Sequence, residues 1–391
     1  MDDLSDISYI INELGENRTD YFNAVSPPII QTSNFRVNTV EKLKQLFADE
    51  YSGYLYSRGL NPTVDILRKK LAALDEAEDC LVFNSGAAAI FAAVLANVCK
   101  GDHIISVKNP YSWVKRMFDQ IFARFGVETT YIDGTTIEQF ENARRSETRF
   151  VYLESPNSWN FAIQDIERVA AFGKRFGLIT LIDNSFCTPL YQKPIPMGID
   201  ISMQTATKYI GGHSDTLGGI LTGSRRMMKK IFDCEYLAVG SGIQPFNAWL
   251  LIRGLRTLEA RLERITATTN CVLQFLKNHP RIESVLFPLD EDFPQYELAR
   301  KQMNNACGLI SFYIRAASRP EIVRFCENLK HIMMAVSWGG HESLILPRCA
   351  GMEDADFDPL NPEHRMLRIY IGLESAEYIT GDLEQSFRLS L

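Results

Sequence analysis

The sequence predicts an α/β protein in which a mostly parallel, buried central sheet is followed by a smaller α+β unit toward the C-terminus. Three observations predict it. Short apolar runs recur between residues 80 and 183 with helical segments between them, the alternation expected of parallel strands covered by helices. A chain of 391 residues exceeds what one small core organises, which argues for a large domain with a smaller companion. Past a long helical stretch at 244–278 the strands become fewer, and a helix separates them.

Residues 1–50 are the expected N-terminal arm. They hold few periodic segments, and Pro27-Pro28 removes two backbone donors and resists helix, so the arm is predicted to be extended. The domain at 51–245 begins with a helix in which Val64, Leu67, Leu71 and Leu74 share one face behind Pro62. The apolar run at 80–83 predicts a strand, Asn84-Ser85-Gly86 the turn after it, and the alanine-rich segment beyond a buried helix. The same alternation gives strands at 103–107, 127–132, 150–154 and 178–183, with helices near 112–125 and at 165–176. The C-terminal domain at 246–391 opens with the long helical stretch and carries strands at 308–315 and 366–372 around a helix.

Composition excludes several classes of function. With 46% hydrophobic and 23% charged residues, and no apolar run of bilayer-spanning length, the chain has no membrane signature. A net charge of −7 without a long basic run offers little to a nucleic acid. Eight cysteines and six histidines lack the paired spacing of a zinc or redox site, so no metal is expected. The opening Met-Asp-Asp-Leu-Ser-Asp lacks the basic start and apolar core of a secretory signal, which places the protein in the cytoplasm.

The chemistry concentrates at 178–215. Two strands there place Asp183 and Lys208 at neighbouring sheet edges, where an open α/β sheet binds ligands. Alone, an Asp after a strand is ordinarily a turn former, and a Lys is ordinarily solvated surface. Together they suit pyridoxal phosphate (PLP): the amine forms an imine with the aldehyde, and the carboxylate keeps the ring nitrogen protonated. Thr205, Thr207, Gly211, Gly212 and Ser214 around Lys208 supply the hydroxyls and permissive backbone that a phosphate needs. Ser85-Gly86-Ala87, at the head of a helix, is a second phosphate element, since free amides and the helix dipole favour an anion there.

These segments carry a resemblance. TATKYIGGHSD, LIDNSF and NSGAAAI, with YSRGLNPT, LESPNS, IRGLRTLEARL, SWGGHESL and LRIYIGLE in the same order, resemble the Cys/Met-metabolism family of PLP enzymes across nearly the whole chain. That family includes cystathionine β- and γ-lyases, cystathionine γ-synthase and methionine γ-lyase. The resemblance implies the aspartate aminotransferase-like fold (fold type I), with Lys208 anchoring the cofactor and Asp183 paired with its ring nitrogen. It implies that Tyr111 stacks on the ring as a catalytic residue. It further implies that Gly86, Ala87, Thr205 and Thr207 contact the phosphate, and that Ser158 belongs to the cofactor-binding set. Tyr56 and Arg58 would reach the phosphate of a neighbouring subunit, within a homotetramer built from dimers that share active sites. Arg368 would grip the α-carboxylate of a sulfur-containing amino acid, assisted by Ser337, with Trp338 beside it.

Within the family, Trp338, Ser158 and the GAAAI run resemble cystathionine β-lyase, and β-elimination of cystathionine to homocysteine, pyruvate and ammonia is the expected reaction. Val336 departs from that pattern and is closer to methionine γ-lyase, although the cysteine those lyases carry soon after the stacking tyrosine is absent beyond Tyr111. A γ-type member therefore stays open as the alternative, and a non-catalytic PLP-binding regulator as a reading of another class.

Overall fold

The computed structural model describes residues 6–390. The opening residues 1–5, part of the stretch that lacks a secretory pattern, lie outside the described residues. The chain divides into two compact units: residues 1–158, 162–211 and 215–256 form the first, and 159–161, 212–214 and 257–391 the second.

The first unit is built on seven strands: β1 (Asp79–Phe83), β2 (His103–Val107), β3 (Glu128–Ile132), β4 (Thr148–Glu154), β5 (Ile179–Asp183), β6 (Ile201–Thr205) and β7 (Gly219–Gly223). Their order across the sheet is β1-β7-β6-β5-β4-β2-β3. From β6 to β3 every pairing is parallel, and β7 lies antiparallel to both β1 and β6. Apolar residues such as Ile104, Ile105, Val151, Leu181, Ile182 and Met203 are fully buried, the pattern of parallel strands covered on both faces. Helices follow the strands where the spacing predicts them. Gly86–Leu95 starts at the Ser85 cap, and Ile166–Phe176 runs from the Asp165 cap to Gly177 in the left-handed conformation. The helical stretch beginning at Ser112 widens to a π pattern over Met117–Ile121 and tightens again to Phe125.

Two departures from expectation have physical causes. The arm is not uniformly extended: helices form at Ile7–Asn12 and Val40–Ala48, capped by the side chains of Asp6 and Thr39. The stretch at 244–278 is two helices, Pro245–Leu255 and Leu258–Asn278. The first of them packs on the helix Pro62–Leu74, so the units part after Arg256 rather than near 245.

The second unit holds β8 (Ile282–Leu286), β9 (Leu309–Ile314), β10 (Met333–Met334), β11 (Leu344–Pro347) and β12 (Met366–Tyr370), in the order β10-β11-β12-β9-β8. β9 and β12 correspond to the two strands the sequence predicts, with the helix Arg319–Glu327 between them in the chain. Among the described residues no helix is long and apolar enough to cross a membrane.

Candidate active site

In the first unit the carboxyl ends of β4, β5 and β6 gather the predicted residues. Asp183 closes β5, is 8% exposed, and accepts the Ser185 N–H at 2.9 Å. Ser185 Oγ in turn accepts the Thr205 N–H at 2.7 Å, so one serine links the ends of β5 and β6. Lys208 lies in the turn beyond β6, with its N–H on the Thr205 carbonyl at 3.1 Å. Burial pushes the Asp183 carboxyl above its ordinary range, while the Ser185 hydrogen bonds and the Lys208 charge pull it back down. An acid so placed favours its ionised form only beside a positive partner, which a protonated ring nitrogen supplies.

The two phosphate elements meet. Ser85 caps its helix by accepting the Ala88 N–H at 3.2 Å, and the amides of Gly86 and Ala87, in the first turn, have no helix carbonyl to bond. A Cβ on Gly86 would sit 2.4 Å from Thr205 Oγ1, and one on Gly219 would sit 2.2 Å from the Ser85 carbonyl oxygen. Glycine at both positions is what lets the helix start close against β6 and β7. Thr207 Oγ1, beside them in sequence, accepts the Gly218 N–H at 3.1 Å. Two free amides at a dipole's positive end with adjoining threonine hydroxyls fit a phosphate, and Lys208 and Asp183 fit the aldehyde and the ring nitrogen. The residues present therefore fit PLP.

Tyr111 is the cap of the helix Ser112–Arg116 that follows β2, and the residue is 45% exposed. Its N–H donates to Glu154 Oε2 at 2.7 Å, and the Ser158 N–H donates to Glu154 Oε1 at 2.9 Å. Burial, then the charges of Asp183 and Glu154, push the Tyr111 phenol up. Sequence reasoning singled out neither Glu154 nor Ser185. The signal for Ser185 lay two residues beyond Asp183, in LIDNSF. Tyr56 and Arg58 are both exposed, with the guanidinium carbon 5.4 Å from the Tyr56 ring centre.

In the second unit Arg368 lies in the middle of β12, paired in register with Ser311 of β9 and Leu346 of β11. It is buried, with its guanidinium 4.8 Å from the Trp159 ring centre, and the Trp159 carbonyl accepts the Ser311 hydroxyl at 2.7 Å. A planar guanidinium held against an aromatic face is oriented as a unit, and its fork geometry matches a carboxylate. Ser337 has φ of +88°, a conformation that side chains rarely adopt and that is common at ligand sites. It is exposed, Trp338 is half-buried, and Val336 is exposed.

The segment that leads to Ser337 is pinned from the C-terminal helix Ala376–Ser390. Asp382 accepts the N–H groups of Lys330, His331 and Ile332, each at 2.9 Å. Although burial opposes it, those three donors hold its carboxyl below the usual range. A depressed carboxyl contributes stability that is present above its unfolded pKa and lost as pH falls through the folded value. Asp382→Asn is expected to cost about 1–3 kcal/mol at neutral pH, the cost of leaving buried donors poorly satisfied. Denaturation of both proteins at pH 7 and in acid checks this: the gap must narrow in acid, and a gap that stays constant contradicts the assignment.

Comparison with known proteins shows the family and the fold. The sequence model of the Cys/Met metabolism PLP-dependent enzyme family matches residues 10–388. An L-methionine γ-lyase of Fusobacterium nucleatum is 35% identical over 374 residues, covering 93% of this chain and 93% of that protein. A cystathionine γ-lyase of Bacillus subtilis is 34% identical over 382 residues, covering 95% and 96%. The human cystathionine γ-lyase is 34% identical, covering 93% and 89%. The crystal structure of metB from Corynebacterium glutamicum superimposes with a TM-score of 0.90 at 31% identity, covering 98% of each chain.

Proposed function

The chain belongs to the Cys/Met metabolism PLP-dependent enzymes, with the type I fold and pyridoxal 5'-phosphate as cofactor, and we propose that it breaks the Cγ–S bond of an uncharged thioether amino acid such as methionine. The coarser statement, a PLP-dependent carbon–sulfur lyase, stands on the family. The finer one is supported chiefly by the relatives, which are named methionine and cystathionine γ-lyases. They favour the γ-type alternative over the β-elimination expected from Trp338, Ser158 and the GAAAI run.

Val336 supports the choice of substrate. Cystathionine carries a second ammonium and carboxylate beyond its sulfur, and a valine next to Ser337 offers that ammonium no charge. Methionine ends in a methyl group and needs none.

When bound, PLP supplies an electron sink that stabilises negative charge next to the substrate amine. The chain's own groups do the rest. Asp183 holds the ring nitrogen protonated. Gly86, Ala87, Thr205 and Thr207 hold the phosphate, and Tyr111 covers the ring. Lys208 Nζ takes the α-proton and returns protons as the thiol departs, acting in turn as base and acid. To Arg368, with Ser337 beside it in role, we assign the substrate carboxylate. Exposure of Tyr56 and Arg58 leaves that pair available to a second copy of the chain, in keeping with a shared-site dimer within a tetramer. The net reaction consumes one water and gives 2-oxobutyrate, ammonia and a thiol.

The keto acid decides between readings. Holoenzyme incubated with methionine or cystathionine is expected to form 2-oxobutyrate, with methionine the better substrate by kcat/KM. Pyruvate from cystathionine would restore the β-lyase reading. New cystathionine from an O-acylated homoserine and cysteine would make it a synthase, and no keto acid from any substrate would favour a regulator.

A further inference from the structure

β4 ends in a glutamate that has no place in the roles assigned so far. Glu154 is 5% exposed, and among the described residues no lysine or arginine charge figures among the causes that shift its carboxyl. Its neighbour across the sheet is another acid: Glu154 and Asp183 are partners in register at the ends of β4 and β5. A buried carboxyl without a cation, set beside a second carboxyl, is costly unless its oxygens are otherwise used. Both are used, one on the N–H of Tyr111 and one on the N–H of Ser158. These two peptides come from loops 47 residues apart, one after β2 and one after β4, and no backbone ladder joins them.

We propose that Glu154 is a positioning residue, which holds the Tyr111 and Ser158 peptides to the end of β4 and so fixes where the Tyr111 ring covers the cofactor. This rests on the role given to Tyr111 above and deepens it. The glutamate has a reason to be an acid rather than an amide. The N–H groups of Tyr111 and Ser158 and the Ser158 hydroxyl all donate to it, and only a carboxyl presents two oxygens to them; a glutamine offers one oxygen and turns an NH₂ toward the other side. Burial and the adjacent Asp183 push the Glu154 carboxyl up, while the Tyr111 and Ser158 donors pull it back down.

Glu154→Gln tests the clamp, because it keeps the shape of the side chain and removes one acceptor. Amide hydrogen exchange of the apo-protein, read at Tyr111 and Ser158, is the first measurement. One of the two amides is expected to exchange faster in Glu154→Gln and both in Glu154→Ala. The second measurement is PLP affinity of the apo-protein, expected to fall about tenfold in Glu154→Gln, the size of a lost buried hydrogen bond. Should Glu154→Ala fail to fold, the glutamine variant alone still decides. Unchanged exchange at both amides in a folded Glu154→Gln protein overturns the proposal. Faster exchange with unchanged PLP affinity supports the clamp and instead removes the ring-covering role from Tyr111, so the two readings fail separately.

Discussion

Replacing Lys208 with alanine is expected to lower kcat by roughly 10²–10⁴-fold, the contribution of a positioned acid–base group, while leaving the protein folded and able to take up PLP. The expectation follows from where the lysine stands. It is carried on the turn after β6, with its own N–H held by the Thr205 carbonyl, and its charge reaches Asp183. Among the described residues Lys208 is the lysine whose charge bears on Asp183, so no other amine is expected to replace it at the reacting atoms. The proposed phosphate cradle does not depend on it: Gly86 packs on Thr205, and Thr207 is tied to Gly218, without the ammonium. The variant should therefore bind PLP reversibly, so that dialysis strips it, whereas the parent retains it. Keto-acid formation by both proteins, with cofactor content before and after dialysis, checks each half. Turnover within about threefold of the parent would refute the catalytic role, since an effect that small is less than 1 kcal/mol. Loss of PLP binding altogether would instead mean that the cradle is insufficient.

The candidate site is legible in outline because parallel strands buried on both faces are apolar runs, and because the residues proposed to hold the cofactor sit just beyond such runs. β2, β4, β5 and β6 are of that kind, with Asp183 ending β5 and Lys208 in the turn beyond β6. β7 was illegible for the opposite reason. Gly219 must be a glycine to pass the Ser85 carbonyl, and a strand that opens and closes on glycine looks like a loop. The short helices at Ile7–Asn12 and Val40–Ala48 carry cap residues but too few turns to show periodicity. Glu154 was hidden more deeply. A glutamate ending a strand resembles a solvated charge, and only the register of β4 against β5 reveals that it faces Asp183. Register is set by the whole sheet, not by any local pattern. The choice between β and γ chemistry turned on single positions, Trp338 and Ser158 against Val336, where a residue's identity carries little without the substrate's shape.

The largest stability effect is expected at Glu16. Its side chain is fully buried, as is that of Lys70, whose Nζ lies 3.0 Å from Glu16 Oε1. Lys70 also donates to the carbonyls of Ile10 and Ile11, at 3.0 and 2.9 Å, and Arg256 reaches Glu16 at 3.1 Å. This cluster fastens the arm to the helix Pro62–Leu74 and to the end of the helix Pro245–Leu255. Glu16→Ala removes the carboxylate facing Lys70 and leaves a buried ammonium without its counter-charge, a change worth about 3–5 kcal/mol. Denaturant unfolding of the apo-protein followed by Trp249, whose Nε1 donates to the Pro27 carbonyl in the same arm, reports it. The pH dependence identifies the cause. Burial lowers the Lys70 pKa from 10.5, and Glu16 opposes that shift, so the variant lowers it further. A lysine with a depressed folded pKa destabilises while its unfolded form is protonated, and that penalty fades as pH rises toward 10.5. The deficit of Glu16→Ala should therefore be largest near neutrality and shrink in alkali. The double variant Glu16→Leu/Lys70→Met should recover much of it, because an apolar pair of similar volume removes both charges at once. A single-variant cost below about 1 kcal/mol, within the range of an ordinary surface ion pair, would show that the cluster is not what secures the arm.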